Sequence, residues 1–365
     1  MKKGQIDFYF FLTVMSLLAI GLIMVFSASS EAARYASYTN GDAYYFIKRQ
    51  GLWAIISIGA MFFFANFDYH KLGKWSFPIL TASFGALILV LMIGNTVKGG
   101  KRWINLGFSS IQPSEIAKIA IILFFAYSLS KNPDILKKFW SGLMPYLSVL
   151  GFVALLLMLE PHFSGTIVIL GIGVTILFVA GAKIRHLILL GLPAFCGGFF
   201  LVATSEYRMQ RITAFVDPFK DKLGDGWQII QSLYAIGSGK LFGLGLGRSR
   251  QKFLYIPEPH NDFIFSIVCE ELGFIGAMVV LLLFAVLIWR GIKIAMDAPD
   301  TFGSLVAVGI TTLIAVEVII NIAVVTSSMP VTGMPLPFFS YGGTALLAVM
   351  SCMGIMLNIS KFSRR

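Results

Sequence analysis

The chain has 365 residues, of which 57% are apolar and only 13% are charged, and its net charge is +11. A soluble domain carries about 25% charged residues, so this composition excludes an ordinary soluble protein. The three cysteines (Cys196, Cys269 and Cys352) lie in apolar runs without a common spacing, which argues against a disulfide framework or a zinc site. The sequence therefore predicts an all-α polytopic membrane protein, and we treat residues 1–365 as one domain.

Membrane-spanning helices need about 20 mostly apolar residues each. About ten runs of this kind occur, at residues 8–30, 50–67, 75–97, 112–130, 139–159, 163–182, 187–205, 262–289, 301–328 and 338–360. The first run is longer than the apolar core of a signal peptide, which is about 7–15 residues, so we expect it to be retained. An even number of spans predicts that both termini lie on the same side.

Orientation follows from Lys and Arg in the short connections. These residues are concentrated in the connections on the N-terminal side, so we predict that both termini are cytoplasmic. The one long polar stretch, residues 204–261, is then a large extracytoplasmic loop. It contains the basic residues Arg208, Arg211, Lys240, Arg248 and Lys252. Its charge fits two interpretations equally well, namely a surface that binds an anionic substrate and contact with anionic membrane lipids.

An extracytoplasmic enzyme has no ATP or nucleotide sugars, so its substrate must bring its own activation. Lipid-linked pyrophosphates meet this requirement, because they are anionic, membrane-anchored and energy-rich. The glycine-rich run at residues 237–247 could form a pyrophosphate cradle, since glycine lets backbone N–H groups approach phosphate closely. Bending of a re-entrant chain explains the same glycines nearly as well.

Asp262 follows two prolines and begins an apolar run. An aspartate in this position is typical of an N-cap or first-turn residue. A carboxylate at the rim of a helical bundle, beside a basic loop, is also well placed to act as a general base. The two interpretations are compatible, and the sequence alone does not decide between them.

Ionisable residues at membrane depth are candidates for function, because burying a charge is unfavourable unless it is paired. Glu115 and Lys118 are three residues apart on one helix, so they form either a structural ion pair or part of a ligand site. Glu317 is expected to pair with a residue of another helix. His162 and His260 have no second ligand at a suitable spacing, so they are weak evidence for a metal site.

Several separate blocks of the sequence resemble the SEDS family (shape, elongation, division and sporulation) of membrane proteins. They are residues 107–118, 207–218, 226–239, 257–273 and 329–343. The blocks occur in the order of the family and extend over nearly the whole chain. The last two resemble the FtsW and SpoVE branches more than the RodA branch.

The resemblance implies a peptidoglycan glycosyltransferase that polymerises lipid II at the outer face of the cytoplasmic membrane. It implies three kinds of partner: a class B penicillin-binding protein, other division or sporulation proteins, and membrane lipids. We expect no nucleic-acid partner. A divalent cation, Mg or Mn, is the one cofactor that we expect. An alternative is a lipid II flippase, and another is a scaffold for the penicillin-binding protein.

The family's essential aspartate corresponds to Asp262, which we predict to be the catalytic base. The predicted substrate-binding residues are Arg208, Arg211, Lys240, Arg248, Lys252, Glu115, Lys118, His260, Ser340 and Tyr341. One block departs from the family, which commonly has Gln-Pro-Asp-Leu-Gly-Thr after the fifth helix. Here Glu160 and His162 occupy the Gln and Asp positions, and one extra residue follows. Whether Glu160 takes over the acidic role stays open at this stage.

Overall fold

The computed structural model describes residues 4–97, 100–105, 110–189, 191, 206–220, 224, 226–253 and 255–363. Its α-helices are α1 (Phe8–Tyr35), α2 (Tyr45–Asn66), α3 (Tyr69–Ile93), α4 (Pro113–Lys131), α5 (Met144–Leu159), α6 (Phe163–Val179), α7 (Glu206–Val216), α8 (Trp227–Ser238), α9 (Ile264–Met296), α10 (Thr301–Val325) and α11 (Gly343–Ser360). A small antiparallel sheet of β1 (Asn95–Val97), β2 (Gly100–Asn105) and β3 (Ser110–Ile111) lies between α3 and α4. The predicted helical architecture is confirmed, whereas the sheet was not predicted.

Among the described residues, seven helical segments are long and apolar enough to cross a membrane. They comprise α1, α3, α4, the stretch Phe139–Leu159 that contains α5, α9, α10 and α11. Helix α6 is a shorter apolar helix. The predicted span at residues 187–205 lies largely outside the described residues, so the total of ten spans stays a prediction.

Close helix packing in this bundle depends on small residues, as is usual where lipid supplies no hydrophobic driving force. A Cβ atom on Gly354 of α11 would lie 2.3 Å from the carbonyl oxygen of Met61 in α2. A Cβ atom on Gly343 would lie 2.3 Å from the Trp53 ring of the same helix. Both glycines therefore let α11 lie directly against α2.

The first and last described residues meet at one end of the bundle. Gly4 N donates to the Lys361 carbonyl oxygen at 2.7 Å, and Asp7 N donates to Ser360 Oγ at 3.1 Å. The Asp7 carboxylate also pairs with the Arg290 guanidinium from the distal part of α9. Asp262 precedes α9, at the opposite end of the bundle, so we call that end the Asp262 end.

Helix α9 is broken at Gly273, whose φ of 68° and ψ of −169° are not helical. A glycine-rich loop, residues 239–247, fills the break. Phe274 N and Ile275 N donate to the carbonyl oxygens of Lys240 and Leu241 at 2.8 and 3.1 Å. In the other direction, Leu244 N donates to the Glu270 carbonyl oxygen at 2.9 Å. The membrane span predicted at residues 262–289 is present as Ile264–Met296, and the break at Gly273, which was not predicted, divides it into two helical segments, 264–272 and 274–296.

Replacing Gly273 by alanine tests how tightly this break is filled. A Cβ atom there would lie 2.3 Å from Gly243 N and 2.6 Å from the Leu241 carbonyl oxygen. Together with the positive φ, this contact should lower the free energy of unfolding by about 2 kcal/mol or more. We expect Gly273→Ala to lower the melting temperature of the detergent-solubilised protein by on the order of 5 °C.

The matched control is Gly237→Ala in α8, where a Cβ atom meets nothing within 4 Å. This substitution should leave the melting temperature unchanged or raise it slightly, because alanine reduces the entropy of the unfolded chain. Equal melting temperatures for Gly273→Ala and the wild type would contradict the filled break.

Candidate active site

Asp262 lies in the turn that precedes α9. Helix α9 begins at Ile264 with Phe263 in the N-cap position, so the interpretation of Asp262 as the capping residue was wrong. The side chain of Asp262 is half-buried. Its main-chain carbonyl oxygen accepts a hydrogen bond of 2.9 Å from Asn321 Nδ2 of α10. The buried amide of Asn321 thus fixes the turn that carries the Asp262 carboxylate.

The connection between α10 and α11, which we call the 329–342 segment, forms one wall beside Asp262. Asn321 Nδ2 also donates to the Met334 carbonyl oxygen at 2.7 Å, so one amide holds both the Asp262 turn and this segment. Gly333 has a φ of +68°, and a Cβ atom there would lie 3.3 Å from Asp262 Oδ2. Glycine at residue 333 therefore leaves room next to the carboxylate.

One basic and one polar side chain from other helices donate hydrogen bonds to the 329–342 segment. Arg211 Nη1 of α7 donates to the Val331 carbonyl oxygen at 2.8 Å. Ser164 Oγ of α6 donates to the Thr332 carbonyl oxygen at 3.1 Å. The structure therefore places Arg211 within the same wall that borders Asp262. The side chain of Arg208, the other predicted arginine of this helix, lies outside the described part of the chain.

His260, Ser340 and Tyr341, which the sequence predicts to bind substrate, connect the Asp262 turn to the start of α11. Ser340 Oγ donates to the Asn261 carbonyl oxygen at 2.7 Å and accepts from Leu336 N at 2.7 Å. Tyr341 N donates to the His260 carbonyl oxygen at 2.9 Å. The buried His260 ring lies 4.3 Å, between centroids, from the ring of Phe46. These contacts hold Asp262 in place, and a direct contact with substrate stays a prediction.

Glu115, Lys118 and Glu317 form a buried cluster of three charges. Lys118 Nζ lies 2.7 Å from Glu115 Oε2 and 2.5 Å from Glu317 Oε1. Glu317 therefore pairs with another helix, as predicted. It precedes Asn321 by four residues on α10, so the cluster lies about one helical turn, roughly 6 Å, deeper than the Asp262 turn. The cluster borders the site and carries more carboxylate than ammonium.

Two further buried carboxylates organise the basic loop. Glu270 accepts hydrogen bonds from Ser249 Oγ at 2.5 Å and from Arg250 N at 2.9 Å. Glu271 accepts from Ser27 Oγ of α1 at 2.6 Å and from Ser249 N at 3.2 Å. Both glutamates therefore hold the turn at residues 249–252 against the broken helix.

The predicted substrate-binding Lys252 belongs to this internal network. Its Nζ donates to the Gly247 carbonyl oxygen at 2.6 Å and lies 3.4 Å from Glu271 Oε1, and the residue is only 3% exposed. The ammonium group neutralises a buried carboxylate in this structure. Contact of Lys252 with substrate stays a prediction.

Lys240 and Arg248 are exposed on the glycine-rich loop. The structure does not bring them next to Asp262, because helical residues 264–272 lie between the loop and the Asp262 turn. Nine helical residues extend about 13 Å. The predicted substrate-binding cations therefore lie in two groups, with Arg211 near Asp262 and Lys240 with Arg248 at the glycine-rich loop, and their contact with substrate stays a prediction.

Glu160 and His162, at the block that departs from the family, lie buried in the connection between α5 and α6. Neither carboxylate oxygen of Glu160 has a hydrogen-bond partner among the described residues. Burial raises the pKa of Glu160 to about 8, although the nearby Arg102 opposes this shift. Burial, together with Arg102 and Lys118, lowers the pKa of His162 to about 3. The connection is therefore uncharged at neutral pH, and His162 Nε2 lies 3.3 Å from Gln112 Nε2.

The described residues offer no group of three or more His, Cys, Asp or Glu side chains suited to a metal ion. We assign no step to the predicted magnesium or manganese ion. The cation stays a prediction.

Sequence reasoning missed Asn321, which supports both Asp262 and the 329–342 segment. A detectable signal was available, because an amide within the apolar run of α10, four residues after Glu317, lies on the same helix face. It also missed the break at Gly273, since a glycine after two glutamates reads equally well as part of a helix.

The fold and this arrangement define a polytopic membrane protein with an acidic residue and separate cationic groups at one end of its bundle. The family model described as cell cycle protein FtsW/RodA/SpoVE matches residues 8–365. The chain belongs to this family.

Relatives and solved structures agree with this assignment. The chain is 48% identical to stage V sporulation protein E of Bacillus subtilis, with 100% of this chain and 99% of the relative covered. It is 43% identical to a probable peptidoglycan glycosyltransferase FtsW of Geobacter sp. (strain M18), with 94% of each chain covered.

Among solved structures, a chain of a peptidoglycan synthase complex that coordinates polymerization and crosslinking is 29% identical, with a TM-score of 0.80 and 97% of each chain covered. Rod shape determining protein RodA of Thermus thermophilus is 27% identical, with a TM-score of 0.72, and covers 99% of this chain and 98% of its own.

Removing the central cation of the buried cluster should destabilise the protein. Lys118→Met leaves the Glu115 and Glu317 carboxylates buried without their ammonium partner, and the loss of one partner of a buried pair typically costs about 3–5 kcal/mol. The double variant Lys118→Met/Glu317→Gln should recover part of this loss, because it removes one of the uncompensated carboxylates. Melting temperatures of the single and double variants measure the coupling, and additive effects would contradict a shared cluster.

The buried Glu160 should make stability depend on pH. The unfolded carboxyl group ionises near its ordinary pKa of 4.5, whereas the folded protein keeps the proton up to a pKa of about 8. Between these two pH values the folded state therefore binds more protons than the unfolded state. The free energy of unfolding that Glu160 contributes falls as pH rises through this window. Glu160→Gln should flatten the dependence of the melting temperature on pH between these two values. An unchanged slope in the variant would show that Glu160 is ionised in the folded protein.

Proposed function

We propose that this protein is a peptidoglycan glycosyltransferase that polymerises lipid II into glycan strands. The observation that carries the proposal is the position of Asp262 beside the 329–342 segment, to which Arg211 also binds through the Val331 carbonyl oxygen. A carboxylate beside this segment can accept the proton of an attacking hydroxyl group, and a cation bound to the same segment can neutralise a departing anion. The family and the relatives named as glycosyltransferases support this function.

Asp262 acts as the general base. Its carboxylate accepts the proton of the 4-hydroxyl group on the acceptor's N-acetylglucosamine, while that oxygen attacks the anomeric carbon of the donor's N-acetylmuramic acid. A new glycosidic bond forms with inversion, and the bond to undecaprenyl pyrophosphate breaks. The pyrophosphate carries away the electron pair, so the reaction needs charge neutralisation rather than a second acid.

Arg211 is the described cation placed to neutralise the departing pyrophosphate. Its guanidinium group donates to the Val331 carbonyl oxygen, and the planar arrangement of five N–H donors in a guanidinium group suits phosphate oxygens. Arg208 shares helix α7 with Arg211 and is proposed to assist. The anchoring fixes the cation before the transition state forms, which is the condition for effective electrostatic stabilisation.

The proposed location is the cytoplasmic membrane, with both termini in the cytoplasm and the Asp262 end at the extracytoplasmic surface. The excess of Lys and Arg in the connections of the terminal side supports this orientation. The proposed partners are a class B penicillin-binding protein, which would crosslink the product, and other division or sporulation proteins. The similarity to a chain of a peptidoglycan synthase complex supports such an assembly.

A lipid II flippase is the second candidate. The buried cluster of Glu115, Lys118 and Glu317 favours it, because charges at membrane depth are typical of a path for polar headgroups. A comparison of the purified protein in detergent and in liposomes distinguishes polymerisation from lipid transfer. Purified protein in detergent has no bilayer to cross, so polymer formed there from lipid II supports the enzyme. Transfer of lipid II between leaflets of liposomes without polymer would support the flippase.

Asp262→Asn should abolish detectable polymerisation while expression and melting temperature stay near those of the wild type. A general base contributes about 100- to 10,000-fold in rate, and an amide cannot accept the proton. The matched control is Asp42→Asn, which removes a carboxylate bound to Lys48 in the connection after α1 and should polymerise at the wild-type rate. Polymerisation is followed by gel separation of labelled glycan products, and normal synthesis by Asp262→Asn would exclude the proposed base.

A further inference from the structure

The lengths of two helices, α1 and α10, give independent estimates of the depth of the Asp262 end in the membrane. On α1, Ser27 lies 20 residues after Asp7, a rise of about 30 Å. On α10, Asn321 lies 21 residues after Asp300, a rise of about 32 Å. Both values match the thickness of the hydrocarbon core, which is about 30 Å.

Asp7 and Asp300 share the end of the bundle where the chain termini meet. Tyr69 connects them, because its hydroxyl group binds the Asp300 carboxylate and its backbone N binds Asn358 Oδ1 at 3.1 Å. Asn358 is two residues from Ser360, which binds Asp7 N. Asp7 and Asp300, from which the two helix lengths are counted, therefore lie at nearly the same depth in the membrane.

At their far ends, these helices hold the two ends of the first segment of α9. Ser27 Oγ binds Glu271, and Asn321 binds the carbonyl oxygen of Asp262. Asp262 and Glu271 therefore both lie close to the boundary of the hydrocarbon core. Residues 264–272 consequently run along this boundary rather than out into water. They separate the Asp262 turn from the glycine-rich loop by about 13 Å.

The glycine-rich loop combines charge with exposed apolar groups. Lys240, Arg248 and Arg250 are exposed. Leu241 and Phe242 between them are 59% and 79% exposed. Cations at headgroup level beside apolar side chains at the lipid boundary are complementary to an amphiphile with an anionic head.

We infer that the glycine-rich loop binds the diphosphate of the acceptor substrate, while Arg211 and Asp262 serve the donor. This inference rests on the proposed function. The donor's diphosphate leaves the reacting carbon, so it must lie at Asp262. The acceptor attacks through the far sugar of its disaccharide, so its own diphosphate lies one disaccharide away from Asp262. Both substrates are anchored in the membrane, which requires two anion sites at one level, separated sideways.

The hydrogen bonds to the broken helix make the second site rigid. Lys240 and Leu241 are fixed through their carbonyl oxygens by Phe274 and Ile275. The Arg248 side chain packs against Gly245, where a Cβ atom would lie 3.4 Å from Arg248 Cδ. The loop therefore presents its cations on a fixed backbone, which lowers the entropy lost when a phosphate binds.

The test counts lipid II molecules bound to the full chain carrying Asp262→Asn, in detergent, by native mass spectrometry. Two molecules per chain are expected. Adding Lys240→Gln and Arg248→Gln together should leave one, and adding Arg211→Gln should remove the other. The matched control Arg34→Gln neutralises a cation near the end of α1 that pairs with Glu31, and it should leave two. Retention of both molecules by the Lys240→Gln/Arg248→Gln protein would overturn the inference.

A second arm identifies the source of the bound lipid. Excess phosphatidylglycerol should not displace the second lipid II molecule, and displacement would show a general site for anionic lipid, which overturns the assignment to the acceptor. The binding count needs no turnover, so its failure is distinct from failure of the proposed function, which appears as wild-type protein that makes no polymer.

With Asp262 intact, Lys240→Gln/Arg248→Gln should raise the KM for lipid II about tenfold or more, because both substitutions remove charge-assisted hydrogen bonds to the diphosphate. Its kcat should stay near that of the wild type, whereas Arg211→Gln should lower kcat. Equal loss of kcat in both variants would contradict two separate sites.

Discussion

The insertion of the glycine-rich loop into helix α9 is the interaction on which the geometry of the site depends. An unbroken helix of 33 residues would extend about 50 Å, well beyond the hydrocarbon core of about 30 Å. Asp262 would then stand far outside the membrane, away from lipid-anchored substrates. The break at Gly273 lets the helical segment 264–272 change direction, as the inferred depth of Asp262 and Glu271 requires. Backbone groups exposed by the break would be unfavourable near lipid, and the hydrogen bonds from residues 240–245 satisfy them.

Buried carboxylates hold this arrangement together, and each has its own set of donors. Glu270 and Glu271 accept from the backbone and hydroxyl groups of the 249–252 turn, from Ser27 and from Lys252. An uncompensated buried carboxylate would cost several kcal/mol, so these donors fix the loop, the broken helix and α1 relative to one another. The exposed cations of the loop depend on this anchoring, because Arg248 and Arg250 flank Ser249. The buried glutamates thus determine where the exposed cations of this region lie.

The helical membrane architecture and the pairing of Glu317 with another helix could be derived from the sequence, because apolar runs and isolated charges are strong local signals. The role of Asp262 followed only from the family resemblance and stays a prediction. The division of the cations into two groups could not be derived from the sequence. Arg211, Arg248 and Lys252 are close in sequence, and only the broken helix shows that Arg211 faces the 329–342 segment while Lys252 turns inward to Glu271. The role of Asn321 was hidden for the same reason, since its two acceptors lie in separate parts of the chain.

Glu160 and His162, in the block that departs from the family, are not among the ion-pair partners of Lys118 in the described part of the chain. At the position where the family commonly has an aspartate, His162 is buried and its pKa is lowered to about 3, so it brings no charge. Glu160 keeps its proton at neutral pH because burial raises its pKa to about 8. The carboxylates that face the Lys118 ammonium come from Glu115 on its own helix and from Glu317 on α10. Because Asn321 lies one turn beyond Glu317 and holds the Asp262 turn, one face of α10 carries both the partner of Lys118 and the amide that supports Asp262. A shift of α10 would therefore move the carboxylate that pairs with Lys118 and the amide that holds the Asp262 turn together.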